Sequence, residues 1–126
     1  MSRILLADDD AQVRKMLKIT LERAGHEVVE AADGNQAVQV YDPETIDVVV
    51  TDIVMPEKEG IETIMELKTI NPEVQIIAIS GGGRINPEDY LKWAQRFGVA
   101  RTFTKPVDRE ELLATVADLV SAGCTD

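Results

Sequence analysis

Five short runs rich in apolar residues, each ending at or just before a polar or charged position and each followed by a stretch of helical spacing, constrain this chain more than any other feature. The runs are Ile4-Leu5-Leu6-Ala7, Glu27-Val28-Val29-Glu30, Val48-Val49-Val50-Thr51-Asp52, Val74 to Ser80, and Arg101 to Thr104. The third is the most telling. Three consecutive β-branched residues suit a strand buried on both faces, and that strand delivers one carboxylate, Asp52, at its C-terminal end. Pro56 and Gly60 then break the pattern, because proline cannot continue a ladder and glycine frees the backbone. Strands alternating with helices pack as a parallel sheet with helices on both faces, so the expected class is a doubly wound α/β fold of five strands and five helices.

The helical stretches carry their own start and stop signals. Val13, Met16, Leu17, Thr20, Leu21 and Ala24 recur at three- and four-residue spacing behind an acidic start, and Gly25 supplies the stop. Asp33-Gly34 turns the chain into a short helix with Ala37, Val38 and Tyr41, closed by Asp42-Pro43. A third helix is expected from about Gly60 to Ile70, with Ile61, Ile64 and Leu67 on one face and Asn71-Pro72 as breaker. Asn86-Pro87-Glu88 opens a fourth, bearing Leu91, Trp93, Ala94 and Phe97 and ending at Gly98. Asp108 with Glu111 forms a capping-box-like start for the last, which carries Leu112, Leu113, Val116, Leu119 and Val120.

A length of 126 residues is enough for one domain with a substantial core, expected over about 3–121 with a short tail at 122–126. Twenty-three acidic against 13 basic side chains leave a net charge of -10, which argues against direct binding of nucleic acid or an anionic membrane and favours a cationic partner surface. The single cysteine, Cys124, has no internal partner, so a reducing compartment is expected. No stretch has the length of a membrane span or the form of a signal peptide, and the expected location is the cytoplasm.

In a parallel sheet the strand C-termini emerge on one edge, so Asp8, Asp9, Asp52, Ser80 and Lys105 should converge there although they are scattered along the chain. Carboxylates gathered in that way repel one another and attract a divalent cation. An all-oxygen donor set favours Mg2+, with Mn2+ as the alternative, over Zn2+; His26 is the only histidine and Cys124 is remote. Asp52 stands apart on its own strand, and an aspartate carboxylate is a covalent acceptor of phosphoryl groups that needs no further base. A cation would screen the charge between acceptor and phosphoryl group, the Lys105 ammonium would pair with one phosphoryl oxygen, and the Ser80 hydroxyl could bond another. Those parts describe phosphoryl transfer.

The ordered set Ile4-Leu5-Leu6-Ala7-Asp8-Asp9-Asp10, Asp52-Ile53-Val54-Met55-Pro56, Gly60 and Lys105-Pro106 resembles a response-regulator receiver domain over nearly the whole chain. The resemblance implies a flavodoxin-like sheet of strand order 2-1-3-4-5. It implies Asp52 as phosphoacceptor, Asp9 and Asp52 as direct metal ligands, Asp8 as a ligand through water, and the Val54 backbone carbonyl as a further ligand. The implied donor is the phosphohistidine of a sensor histidine kinase. The implied role is a signalling switch rather than an enzyme, acting on an output protein and admitting a phosphorylation-dependent homodimer. Val54 and Gly82 offer no polar side chain to orient a water, so slow autodephosphorylation is expected.

Two positions depart from the family pattern. The family carries Tyr or Phe three residues before the lysine, where this chain has Thr102, and Phe103 should point to the opposite side of its strand. The segment from Ser80 to Lys105 is also longer than the common form, with Gly81-Gly82-Gly83 as the site of the extra length. A phosphorelay shuttle to a histidine phosphotransfer protein is one rival reading, and a receiver cut from a longer regulator is another. A Mg2+-dependent phosphohydrolase ranks lower, since Val54 holds the place where its second acid-base carboxylate would stand. Asp10 is expected to start the first helix rather than bind metal, Trp93 to pack its helix, and the glycine triplet, which lacks a Walker pattern, to form a loop.

Overall fold

A computed structural model describes residues 2–52, 57–80, 96–104 and 107–123. Within them the order is β1 (Arg3–Ala7), α1 (Ala11–Arg23), β2 (Glu27–Ala31), α2 (Gly34–Val40), β3 (Val48–Asp52), α3 (Glu57–Ile70), β4 (Ile76–Ser80), β5 (Arg101–Thr104) and a last helix, here α4 (Arg109–Gly123). The five strands form one sheet of order β2-β1-β3-β4-β5, every neighbouring pair parallel. This is the doubly wound order that the resemblance implied.

Alternation along the strands divides the interior into two cores. Leu5, Ala7, Val49, Ile76 and Ala78 face Ala37, Tyr41, Ile64 and Leu67 of the α2/α3 side. Ile4, Leu6, Val48, Val50, Ile77 and Ile79 face Leu17 and Leu21 of α1 and Leu112 and Val116 of α4. β3 lies in the middle and is buried along its whole length, as a run of β-branched residues requires. Each large aliphatic side chain so buried contributes roughly 1.5–3 kcal/mol relative to exposure.

The helix ends follow the local chemistry. Asp10 caps α1, its Oδ1 accepting from the amides of Gln12 (2.9 Å) and Val13 (3.3 Å). At the other end Gly25 takes φ 95°, and the Gly25 and His26 amides donate back to the Glu22 and Leu21 carbonyls, a Schellman closure. Asp108 Oδ1 accepts from Glu110 (3.0 Å) and Glu111 (3.2 Å) at the start of α4, while the Glu111 carboxylate turns to Arg101, 3.7 Å away, rather than completing a capping box.

Two boundaries differ from the sequence expectation. α3 begins at Glu57, so Gly60 lies inside the helix instead of opening it. Glu57, Lys58 and Glu59 are good helix formers, and a single glycine costs only about 1 kcal/mol within a helix that packing holds. β4 begins at Ile76, because Val74 is drawn into the preceding turn: its amide donates to the Asn71 carbonyl and its carbonyl accepts from Lys68 Nζ. The helix expected from Asn86-Pro87-Glu88 and Trp93 lies outside the described residues, apart from its end at Arg96 and Phe97 before Gly98 at φ 71°.

Candidate functional site

All five strands point their C-terminal ends to the same edge, and the acidic residues meet there. Asp8 leaves β1, Asp52 ends β3, and the two strands are adjacent, Ala7 pairing with Thr51. One carboxylate oxygen from each of Asp8, Asp9 and Asp52 lies within 4.8 Å of the others. Asp8 and Asp52 are each only 1% exposed, whereas Asp9 is open to solvent. Burying two carboxylates beside a third is costly unless a cation or hydrogen bonds compensate.

The loop that carries Asp8 and Asp9 is held by its backbone. The Asp8 amide donates to the Ala31 carbonyl at the end of β2 (3.1 Å), and Asp8 Oδ1 accepts from the Asp10 amide (2.8 Å). Arg14, one turn into α1, donates from Nη1 to the Asp8 carbonyl (2.6 Å) and from Nε to Glu30 Oε1 on β2 (3.2 Å). Glu30 also faces Lys18 Nζ at 3.5 Å. The sequence reading passed over Arg14; a basic residue four positions after the helix-capping aspartate was the only signal for it.

Ser80 ends β4 and Thr104 ends β5 beside it in the ladder, so the chain positions leading to Lys105 reach the same edge as Asp52, itself paired with Ile79. The Ser80 side chain, Lys105, Val54 and Gly82 lie outside the described residues. Phe103 is buried in the core on the α1/α4 side of the sheet, whereas Ala78, the ladder partner of Thr102, belongs to the other core. The aromatic at 103 therefore faces away from the side on which Thr102 stands, as the two-residue strand period requires.

A family model described as the response regulator receiver domain matches residues 4–117. The chain belongs to that family. This receiver domain is 36% identical to the chemotaxis protein CheY of Bacillus subtilis, the match covering 90% of this chain and 93% of that one. It is 32% identical to the transcriptional regulatory protein GlrR of Escherichia coli over 99% of its own length, but spans only 28% of GlrR. Among solved structures, a response regulator receiver domain protein from Clostridium thermocellum superposes with a TM-score of 0.87 at 27% identity, covering 97% of this receiver domain and 96% of that chain. No helix among the described residues is long and apolar enough to cross a membrane.

Three hard oxygen donors, two of them buried, fit a divalent cation such as Mg2+ and suit a soft-ligand metal poorly. Among the described residues no histidine or cysteine joins the cluster. The arrangement brings together a strand-end carboxylate and two further acids around a space that opens to solvent beside Asp9.

Proposed function

We propose that this receiver domain, read as one domain over 1–126, is a phosphorylatable switch in two-component signalling. The convergence of Asp8, Asp9 and Asp52 within 4.8 Å carries the proposal. In it an Asp52 carboxylate oxygen attacks the phosphorus of a sensor histidine kinase's phosphohistidine. An O–P bond forms, the P–N bond breaks, and its electron pair stays with the imidazole nitrogen. Bound Mg2+, or Mn2+ in its place, would neutralise charge shared by acceptor and phosphoryl oxygens. Asp8, Asp9, Asp52 and the Val54 carbonyl are the proposed holders of that ion. Lys105 would pair with a phosphoryl oxygen of the product and Ser80 would hydrogen-bond another, biasing the domain toward a second conformation with altered affinity for an output protein.

The aspartyl phosphate is expected to be long-lived, since neither Val54 nor Gly82 brings a polar side chain to orient water. The family is one of signalling switches, and we place this member in the cytoplasm, facing a cationic partner surface rather than nucleic acid or membrane. GlrR and CheY are named for unlike outputs, one transcriptional and one chemotactic. The output partner, or a second copy of the chain, is therefore chosen by surface side chains and not by the acidic site.

The test is intact mass and Trp93 fluorescence after addition of acetyl phosphate, with and without Mg2+. A Mg2+-dependent gain of one phosphoryl group, absent in Asp52→Asn and accompanied by a fluorescence change, is the expected result. Gain without any optical change would favour a phosphorelay shuttle, which needs no propagated change of shape. Equal gain in Asp52→Asn would remove the phosphoacceptor assignment.

A further inference from the structure

We propose that Arg14 is a positioning residue for the acidic site: it presets the loop bearing Asp8 and Asp9 for cation binding without itself neutralising the carboxylates. The inference rests on the reading of Asp8, Asp9 and Asp52 as a divalent-cation site. An arginine that reaches Asp8 could pair with its carboxylate, yet Arg14 Nη1 is committed to the Asp8 backbone carbonyl at 2.6 Å, and Nε to Glu30 at 3.2 Å. Its charge is taken up by Glu30, which also faces Lys18. Glu30 thus draws two cations toward β2.

The mechanical consequence falls on the two peptide groups that flank the Asp8 Cα. The Asp8 amide is tied to the Ala31 carbonyl and the Asp8 carbonyl to Arg14, so the main chain entering Asp9 is held on both sides. Asp10 Oδ1 is occupied with the Gln12 and Val13 amides, so the far side of the loop is fixed to α1. Asp9, the exposed member of the cluster, sits between these two anchors, and its direction follows from them. Arg14 is only one-fifth exposed, so its bonds are little contested by water. Outer contacts of this kind, which orient ligands rather than touch the ion, typically change metal affinity 10- to 100-fold when removed.

The sign of the effect separates this role from the obvious alternative. If Arg14 served as a built-in counter-ion, removing it would leave the carboxylates more negative and Mg2+ would bind more tightly. If it positions the loop, Mg2+ binds more weakly. Isothermal titration with MgCl2 should be run on the wild type, Arg14→Ala and Arg14→Lys, with a thermal melt of each in EDTA. The expected result is about tenfold or greater weakening in Arg14→Ala. Arg14→Lys should be intermediate, because an ammonium lacks the planar fork that reaches carbonyl and carboxylate together. Where Arg14→Ala fails to fold, Arg14→Lys and Arg14→Gln carry the comparison. Unchanged or tighter Mg2+ binding in the folded variants overturns the proposal, even if their melting temperatures fall. Failure of the wild type to bind Mg2+, or equal binding by Asp52→Asn, defeats the cation-site reading itself and this inference with it.

Discussion

At the scale of single residues, the acidic cluster sets electrostatic strain against chemical capacity. Asp9 shares a space less than 5 Å across with two buried carboxylates, so in the absence of a divalent cation its charge disfavours the fold. Asp9→Asn should therefore stabilise the metal-free protein, by about 0.5–1 kcal/mol after allowance for the solvent around Asp9. If the proposed cation site is right, Mg2+ should raise the melting temperature of the wild type, and the same variant should lose most of that rise. Thermal melts in EDTA and in millimolar Mg2+ check both signs; a destabilised metal-free Asp9→Asn would mean that the carboxylate is held by bonds worth more than its repulsion. Asp10, one residue further on, is occupied differently. Its oxygen closes two amides of α1, and Asp10→Ala should cost about 1 kcal/mol in a urea titration.

At the scale of elements, the end of α3 and the turn entering β5 show how a backbone conformation and a charged side chain share one space. Gly98 sits at φ 71°, and a methyl group built there would meet Lys68 Nζ at 3.2 Å and Cε at 3.3 Å. Lys68 lies over this turn and donates to the Val74 carbonyl. Gly98→Ala should cost about 1–2 kcal/mol from the left-handed backbone, with a small further cost from displacing the lysine. Gly25→Ala pays the backbone term alone, since nothing lies within 4 Å of the added group. Burial pushes the Lys68 pKa below its usual 10.5. The unfolded chain then holds more protons between the lowered value and 10.5, so this residue's contribution to stability rises with pH across that window and is least favourable below it. The urea midpoint of the wild type minus that of Lys68→Met should climb as pH approaches 10.5, and a flat difference would mean that Lys68 titrates as an ordinary surface lysine.

At the scale of the whole molecule, one sheet separates two cores and gathers its chemistry on one edge. A net charge of -10 on 126 residues adds self-repulsion that the compact state concentrates. Raising NaCl from about 0.05 to 0.5 M shortens the screening length from about 14 to 4 Å, and should raise the melting temperature of the metal-free chain. Scanning calorimetry would detect this, and a fall with salt would show that attractive pairs such as Arg3 with Glu27 outweigh the repulsion. The sheet order matters for function because it seats β1 beside β3. That adjacency brings Asp8 and Asp9 to Asp52 across the intervening βα units.

Local structure is legible in the order of the residues. The β-branched run at Val48 to Val50, the apolar spacing from Val13 to Leu21, and the stops at Gly25 and Gly98 are written in neighbouring residues, because strand and helix periods and positive-φ positions need only short-range chemistry. The acidic character of the site was legible too, because Asp8, Asp9 and Asp52 all follow buried strands whose C-terminal ends a parallel sheet brings to one edge. Glycine at 60 misled for the same reason: its local propensity is weak, and packing of Ile64 and Leu67 beneath α3 outweighs it. Tertiary packing alone sets which strands are neighbours, how closely Asp8, Asp9 and Asp52 approach, and that Arg14 grips the Asp8 carbonyl and Glu30 rather than a carboxylate of the acidic cluster. These depend on chain crossovers that bring distant segments together. No pattern within one segment encodes the distance between two of them.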